Sequence, residues 1–196
     1  MEKIIPNNAV LIPDQAAKVF SGQIFDVYQW PQKLYDGSEH TFEMLKRPDT
    51  VVIIGVVEGK LIIVEDIQPH FGSRHSFPGG RVDKTDPTIE AAASREMQEE
   101  TGYSFKKWRL ISVLQPYLKM EWFVHYLIAW DEESQQKPNL DAGEKIKVSQ
   151  VSFDDLKKIV LNKAGYLGES MSLIGKLENI DEMLSLPEFE GKVIDR

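Results

Sequence analysis

Glu96, Glu99 and Glu100 stand at i, i+3 and i+4, so a helix through them projects three carboxylates from one face within a single turn. Like charges at that spacing cost an isolated helix roughly 0.2–0.5 kcal/mol per pair, a cost that a bound divalent cation reverses. The plain alternative is a solvated acidic helix face, which should be polar throughout. Here Ile89 and Ala92, one to two turns earlier, lie close to the same angular position, so the face begins as surface packed against the protein. Arg95 sits beside the acidic turn and can pair with one of its carboxylates, fixing a rotamer. Upstream, Phe77-Pro78-Gly79-Gly80 supplies backbone that glycine allows to approach a ligand closely, and a backbone carbonyl is a good ligand for Mg²⁺. The chain has no cysteine, which leaves oxygen and imidazole as ligands, and oxygen ligands fit Mg²⁺, with Mn²⁺ as a substitute. His70, His75 and His125 offer no pair at the i, i+4 spacing of a zinc site and read as loop or strand residues; His40 is no better supported.

The elements that must position these groups follow from periodicity and punctuation. A helix is predicted over 88–101, with Asp86 as cap, Pro87 at the first helical position and Gly102 ending it in the left-handed conformation. Residues 22–30 and 39–47 read as an N-terminal hairpin turning at Asp36-Gly37-Ser38. The β-branched run Val51 to Val57, a turn at Glu58-Gly59-Lys60 and the run Leu61 to Val64 read as buried strands of a central sheet. A loop from Gln68 to Gly80 leads to the helix. Strands at about 108–115 and 121–130, a polar loop from Asp131 to Gly143, a strand near 146–151, a helix from Ser152 and a helical segment from Ser170 to Leu184 complete the reading. Hairpins outnumber crossovers, so the expected class is α+β, an α/β/α sandwich in which helices flank a mixed central sheet, with an N-terminal β-hairpin extension.

Composition narrows the partners. A net charge of −8 over 196 residues opposes tight binding to a nucleic-acid backbone, while a free nucleotide needs only a local basic pocket. No stretch approaches the ~18 apolar residues of a membrane span, and the first twenty residues lack the charged and apolar regions of a leader. No membrane contact and a cytoplasmic location are the expectations.

The stretch from Gly80 to Tyr103, GRVDKTDPTIEAAASREMQEETGY, resembles the Nudix box, G-x5-E-x7-R-E-U-x-E-E-x-G-U with U bulky and apolar. Its second half, R-E-M-Q-E-E-T-G-Y, fits position by position. In the first half Asp86 stands where Glu is expected, and eight residues instead of seven separate it from Arg95, as in similar boxes of coenzyme A pyrophosphatases. The resemblance implies a hydrolase that cleaves the diphosphate bond of a nucleoside diphosphate derivative. By it, Glu96, Glu99 and Glu100 ligate divalent ions, the Gly79 carbonyl contributes, and Arg95 orients a glutamate. A proton acceptor for the attacking water is also needed: either Glu99 or Glu100 on the helix, or Glu144, whose segment Gly143-Glu144-Lys145-Ile146 is similar to the G-E-x-I segment of ADP-ribose pyrophosphatases.

Outside the box the chain is similar to the ADP-ribose and ADP-sugar branch of that superfamily. The likeness implies that residues 1–48 are a dimerisation extension of one catalytic domain spanning 49–196, with strands exchanged across a homodimer. It implies that Phe42 stacks on the base, that Trp30 or Tyr28 forms a second face, and that Arg47 reaches a phosphate. The chain departs from the branch at Gln68, where an arginine is usual before the proline, so that Arg74 or Arg81 is left to compensate. Further departures are Ser76 in place of a glutamate and Gln115-Pro116-Tyr117 in place of S-P-G. Coenzyme A or another nucleoside diphosphate-linked substrate is the alternative within the enzyme class. A module that binds nucleotides without cleaving them is the alternative outside it.

Overall fold

The computed structural model describes residues 1–68, 72–140, 145–161 and 171–195. Its thirteen described strands are β1 (Glu2–Ile5), β2 (Ala17–Ser21), β3 (Asp26–Lys33), β4 (Glu39–Lys46), β5 (Thr50–Val57), β6 (Lys60–Gln68), β7 (Gly72–Ser76), β8 (Gly79–Arg81), β9 (Tyr103–Leu114), β10 (Met120–Glu121), β11 (Val124–Gln135), β12 (Ile146–Val151) and β13 (Lys192–Asp195). The described helices are α1 (Ile89–Thr101), α2 (Phe153–Leu161), α3 (Met171–Ile174) and α4 (Ile180–Leu184). No helix among the described residues is long and apolar enough to cross a membrane.

The central sheet runs β12-β6-β5-β11-β9, with β7 paired to β6 and β8 to β5. It is mixed because β11 lies parallel to β5 while its other pairings are antiparallel. The period-2 geometry of a strand sends alternate residues of β5 to opposite faces. Val51, Ile53 and Val57 pack with Ala92, Ala93 and Met97 of α1, whereas Ile54 and Val56 pack with Phe153, Leu156, Ile174 and Met183 from α2, α3 and α4. Helices therefore cover both faces, as the sandwich reading requires. Each large buried side chain contributes about 1.5–3 kcal/mol relative to exposure.

A second sheet, β10-β4-β3-β2, carries the N-terminal hairpin. Two-residue β10 joins it in parallel to β4, with Met120 opposite Leu45 and Glu121 opposite Lys46. Glu121 is buried, 2% exposed, and accepts from Lys46 Nζ at 2.6 Å and from the Ile12 N–H at 2.8 Å. A two-stranded sheet of β1 and β13 is pinned to the central sheet where Lys3 Nζ meets Asp49 Oδ2 at 2.5 Å.

Several expectations are corrected. The loop expected from Gln68 to Gly80 contains β7 and the start of β8, because the polar run Gly72–Ser76 pairs antiparallel with β6. β9 begins at Tyr103, directly after α1, and β11 extends to Gln135 into the expected polar loop, since the long antiparallel pairing of these two strands continues past the apolar core. Strands β1, β2 and β13 are too short and too exposed to show alternation. The expected helix over 170–184 breaks into α3 and α4 at Gly175, and Asn179 caps the second piece by accepting from the Glu182 N–H at 2.8 Å.

Candidate active site

α1 is capped by Thr88 instead of Asp86: Thr88 is extended, and its Oγ1 accepts from the Ala91 N–H at 3.0 Å. The carboxylate of Asp86 is used elsewhere. It accepts from Arg95 Nε at 3.1 Å and Nη2 at 2.9 Å, a bidentate pair, and from the Asp83 N–H at 2.8 Å. The shorter acid and the extra residue in the box thus still close an acid–arginine pair. At the other end of the helix Gly102 has φ 78° and returns its N–H to the Gln98 carbonyl.

Arg95 organises the acidic turn. Its Nη1 donates to Glu96 Oε1 at 2.9 Å and to Glu99 Oε2 at 3.0 Å, while Nη2 also donates to the Arg81 carbonyl at 2.9 Å. One guanidinium holds three acids and the carbonyl at the end of β8, and Asp86 foremost holds it well above its ordinary pKa, so it is charged at any working pH. Glu100 is held differently, by accepting the Gly79 N–H at Oε2, 2.9 Å away. Gly79 is sterically required by neighbouring backbone, whereas Gly80 leaves the space into which the end of the Glu96 side chain reaches. A Cβ on Gly80 would lie 2.6 Å from the Glu96 carboxylate, and one on Gly79, whose φ is 154°, would lie 2.1 Å from the Val51 carbonyl oxygen.

The structure therefore brings Glu96, Glu99, Glu100, Arg95, Gly79 and Gly80 together. Among the described residues no three acids or imidazoles already converge on one point; Arg95 lies between Glu96 and Glu99 and pairs with both, leaving the acidic turn net negative. The donor set of carboxylates beside glycine backbone fits a hard divalent cation such as Mg²⁺. Glu144 lies outside the described residues. The loop leading toward it passes over the end of α1, where the Asn139 N–H donates to the Glu99 carbonyl at 2.9 Å.

Arg95 holds the Asp86 carboxyl below the usual carboxylate range. A depressed folded-state pKa contributes stability that is present above the unfolded value of about 3.9 and is lost as pH falls through the folded value. Asp86→Asn should therefore lower the thermal midpoint at neutral pH and flatten its decline below about pH 4 relative to wild type. Parallel melting curves across pH 2–7 would contradict this.

Beside Gly79 opens a cleft of about 310 Å³ whose wall includes Arg47, Thr50, Asp66, Ser76 and Trp122. Arg47 lies on that wall, its Cζ 4.6 Å from the centre of the Trp122 ring. Arg74 lies on β7 opposite Asp66 instead of in a loop, and Arg81 is exposed and bonded to Asp83 at 2.9 Å. Phe42, Trp30 and Tyr28 do not line this cleft. Trp30 packs in a small core with Ile12 and Met44, Tyr28 is half-buried beside it, and Phe42 is 41% exposed with its ring 6.2 Å from that of Trp30. His125 is a core residue: its Nε2 lies 3.2 Å from the Ile4 carbonyl, and burial pushes its pKa down.

Sequence reasoning missed Trp122, Thr50 and Asp66 on the cleft wall. The local signal for Trp122 was weak, since it depends on the parallel pairing of β10 with β4 across more than seventy positions.

Residues 46–168 match the NUDIX domain family. A curated relative, the ADP-ribose pyrophosphatase of Bacillus subtilis (strain 168), is 32% identical over 155 residues, covering 76% of this chain and 82% of the relative. The fold is similar to the crystal structure of an ADP compounds hydrolase, with TM-score 0.66, 17% identity and coverage of 83% of this chain and 89% of that one. It is also similar to a MutT structure from a study of Aliivibrio salmonicida and Vibrio cholerae, with TM-score 0.51, 16% identity and coverage of 67% and 95%.

Proposed function

We propose, from the premise that the chain belongs to the Nudix family of hydrolases, that it cleaves the diphosphate bond of a nucleoside diphosphate derivative in a Mg²⁺-dependent reaction, with ADP-ribose or an ADP-sugar as substrate. The observation that carries this reading is the clustering of Glu96, Glu99 and Glu100 around Arg95 and Gly79, at the edge of a cleft that holds a second arginine. The 32% identity to an ADP-ribose pyrophosphatase supports the choice of substrate.

Glu96, Glu99, Glu100 and the Gly79 carbonyl would hold Mg²⁺ or Mn²⁺, which when bound neutralises diphosphate oxygens and polarises the attacking water. The chain's own residues do the positioning. Arg95 keeps Glu96 and Glu99 in fixed rotamers, and the hydrogen bond between Gly79 and Glu100 ties the turn before the box to the acidic helix. Glu99, Glu100 or Glu144 accepts the proton of the attacking water; Glu144→Gln with full activity would assign that role to the helix. Arg47 binds a phosphate.

A homodimer belongs to the same proposal. Every residue of β2 is exposed, and Val19, Phe20 and Ile24 together with Phe42 offer apolar surface on the N-terminal sheet that a second copy would cover. In that arrangement Phe42 reaches the base bound by the other subunit. A fully active monomer by light scattering would remove it.

The test is a substrate panel with product analysis in the presence of Mg²⁺. AMP plus ribose 5-phosphate from ADP-ribose is expected. Adenosine 3′,5′-bisphosphate plus a phosphopantetheine product from coenzyme A, with no cleavage of ADP-ribose, would move the substrate. Binding without cleavage of any diphosphate would overturn the enzymatic reading.

A further inference from the structure

We infer that Trp122 is a positioning residue which, together with Phe25, stacks on the guanidinium of Arg47 and holds it at the cleft wall to receive a phosphate of the substrate. The inference rests on the diphosphate reading above. Arg47 follows the last residue of β4, and Trp122 follows the last residue of β10. These strands are parallel with Lys46 opposite Glu121, and the Arg47 N–H donates to the Glu121 carbonyl at 3.4 Å, so the next positions along the pairing are Arg47 and Trp122. The ion pair of Lys46 with the buried Glu121 pins that register.

The Arg47 Cζ lies 4.6 Å from the Trp122 ring centre and 5.7 Å from that of Phe25. The indole is itself fixed, because Nε1 donates to Thr50 Oγ1 at 3.0 Å and Tyr117 stacks on it at 6.3 Å with 19° between the planes. A guanidinium packed through its face on an aromatic ring directs its N–H edge away from that ring, and a side chain ordered before the ligand arrives loses less freedom on binding. Lysine, with a compact ammonium and no flat face, cannot replace it. Arg47 and Trp122 both line the cleft that Gly79 also lines, and the Gly79 N–H bonds Glu100, so the held charge and the tie to the acidic helix share one cleft.

The test compares Trp122→Leu, Trp122→Phe, Phe25→Leu, Arg47→Lys and the double variant Trp122→Leu/Arg47→Lys, each read by kcat and KM for ADP-ribose with Mg²⁺ and by calorimetric Kd for ADP. Trp122→Leu and Arg47→Lys are each expected to raise KM and the ADP Kd about tenfold, between the sizes of an exposed and a desolvated cation–π contact, with kcat changed much less. Trp122→Phe, which keeps an aromatic face, should retain most of the affinity, and Phe25→Leu should show a smaller loss than Trp122→Leu. In the Arg47→Lys background, Trp122→Leu should add little, because its effect passes through the arginine. Additive losses in the double variant, an unchanged KM and Kd in Trp122→Leu, or a wild type that fails to bind ADP would overturn the inference. A wild type that binds ADP but cleaves no diphosphate removes the enzymatic reading alone, and the binding cycle then decides the role of Trp122.

Discussion

Glu100→Gln is expected to reduce turnover of ADP-ribose at least about 10²-fold while the protein remains folded, the loss associated with removing a metal ligand or proton acceptor. The substitution is informative because it separates charge from shape. A glutamine oxygen at the same place can still accept the Gly79 N–H that the carboxylate now accepts at 2.9 Å. The tie between the turn and the helix therefore survives, and the thermal midpoint should move by no more than a few degrees, as for a shift of about 1 kcal/mol or less. What disappears is one negative charge and one strong oxygen donor. Steady-state kinetics at saturating Mg²⁺ beside a melting curve would check this. Turnover near wild type would remove Glu100 from the reaction, and a collapsed melting curve would make its role structural.

Gly79→Ala should damage fold and activity together. The residue has φ 154°, and an added Cβ would sit 2.1 Å from the Val51 carbonyl oxygen and 3.0 Å from the Val52 Cα. Both are backbone atoms of β5, which cannot yield without parting the β5–β8 pairing in which Val52 faces Gly79 and Val51 faces Gly80. A clash with backbone added to a disfavoured φ costs about 1–3 kcal/mol or more, which for a chain of this size lowers the melting midpoint by several degrees. Activity should fall by about 10²-fold or more, because displacing the turn also releases Glu100. Gly37→Ala is the matched control: its φ is 86°, yet nothing lies within 4 Å of the added carbon, so only the conformational cost is expected. Equal midpoints and equal rates for the two variants would contradict the role assigned to Gly79.

The acidic turn of the helix was legible because it is written locally. Spacing of three and four residues places Glu96, Glu99 and Glu100 on one turn whatever the rest of the chain does, and Gly102 marks where that turn must stop. The apolar runs of β5 and β6 were legible for the same reason: burial on both faces leaves an almost continuous hydrophobic signature. Asp86 was misread as the helix cap because acids commonly cap, and its pairing with Arg95 nine residues later is a tertiary choice that propensity does not encode. The cleft was illegible for a stronger reason. Its wall draws Arg47, Asp66, Ser76 and Trp122 from four separate stretches, and the contact of Arg47 with Trp122 depends on a two-residue parallel pairing that carries no periodicity. The strand β7 was hidden because it is polar throughout and has no β-branched or apolar residue, so only its pairing partner reveals it.

The account depends on the acidic turn of α1 acting with a divalent cation on a diphosphate, and a metal titration tests that dependence most directly. After treatment with a chelator and its removal, wild-type conversion of ADP-ribose to AMP and ribose 5-phosphate should fall to background and return as Mg²⁺ is added. Glu96→Gln and Glu99→Gln should need about tenfold more Mg²⁺ for half of their own maximal rate, in line with loss of a ligand. Hydrolysis that persists undiminished in the chelated wild type, or a titration midpoint unmoved in both variants, would contradict the account.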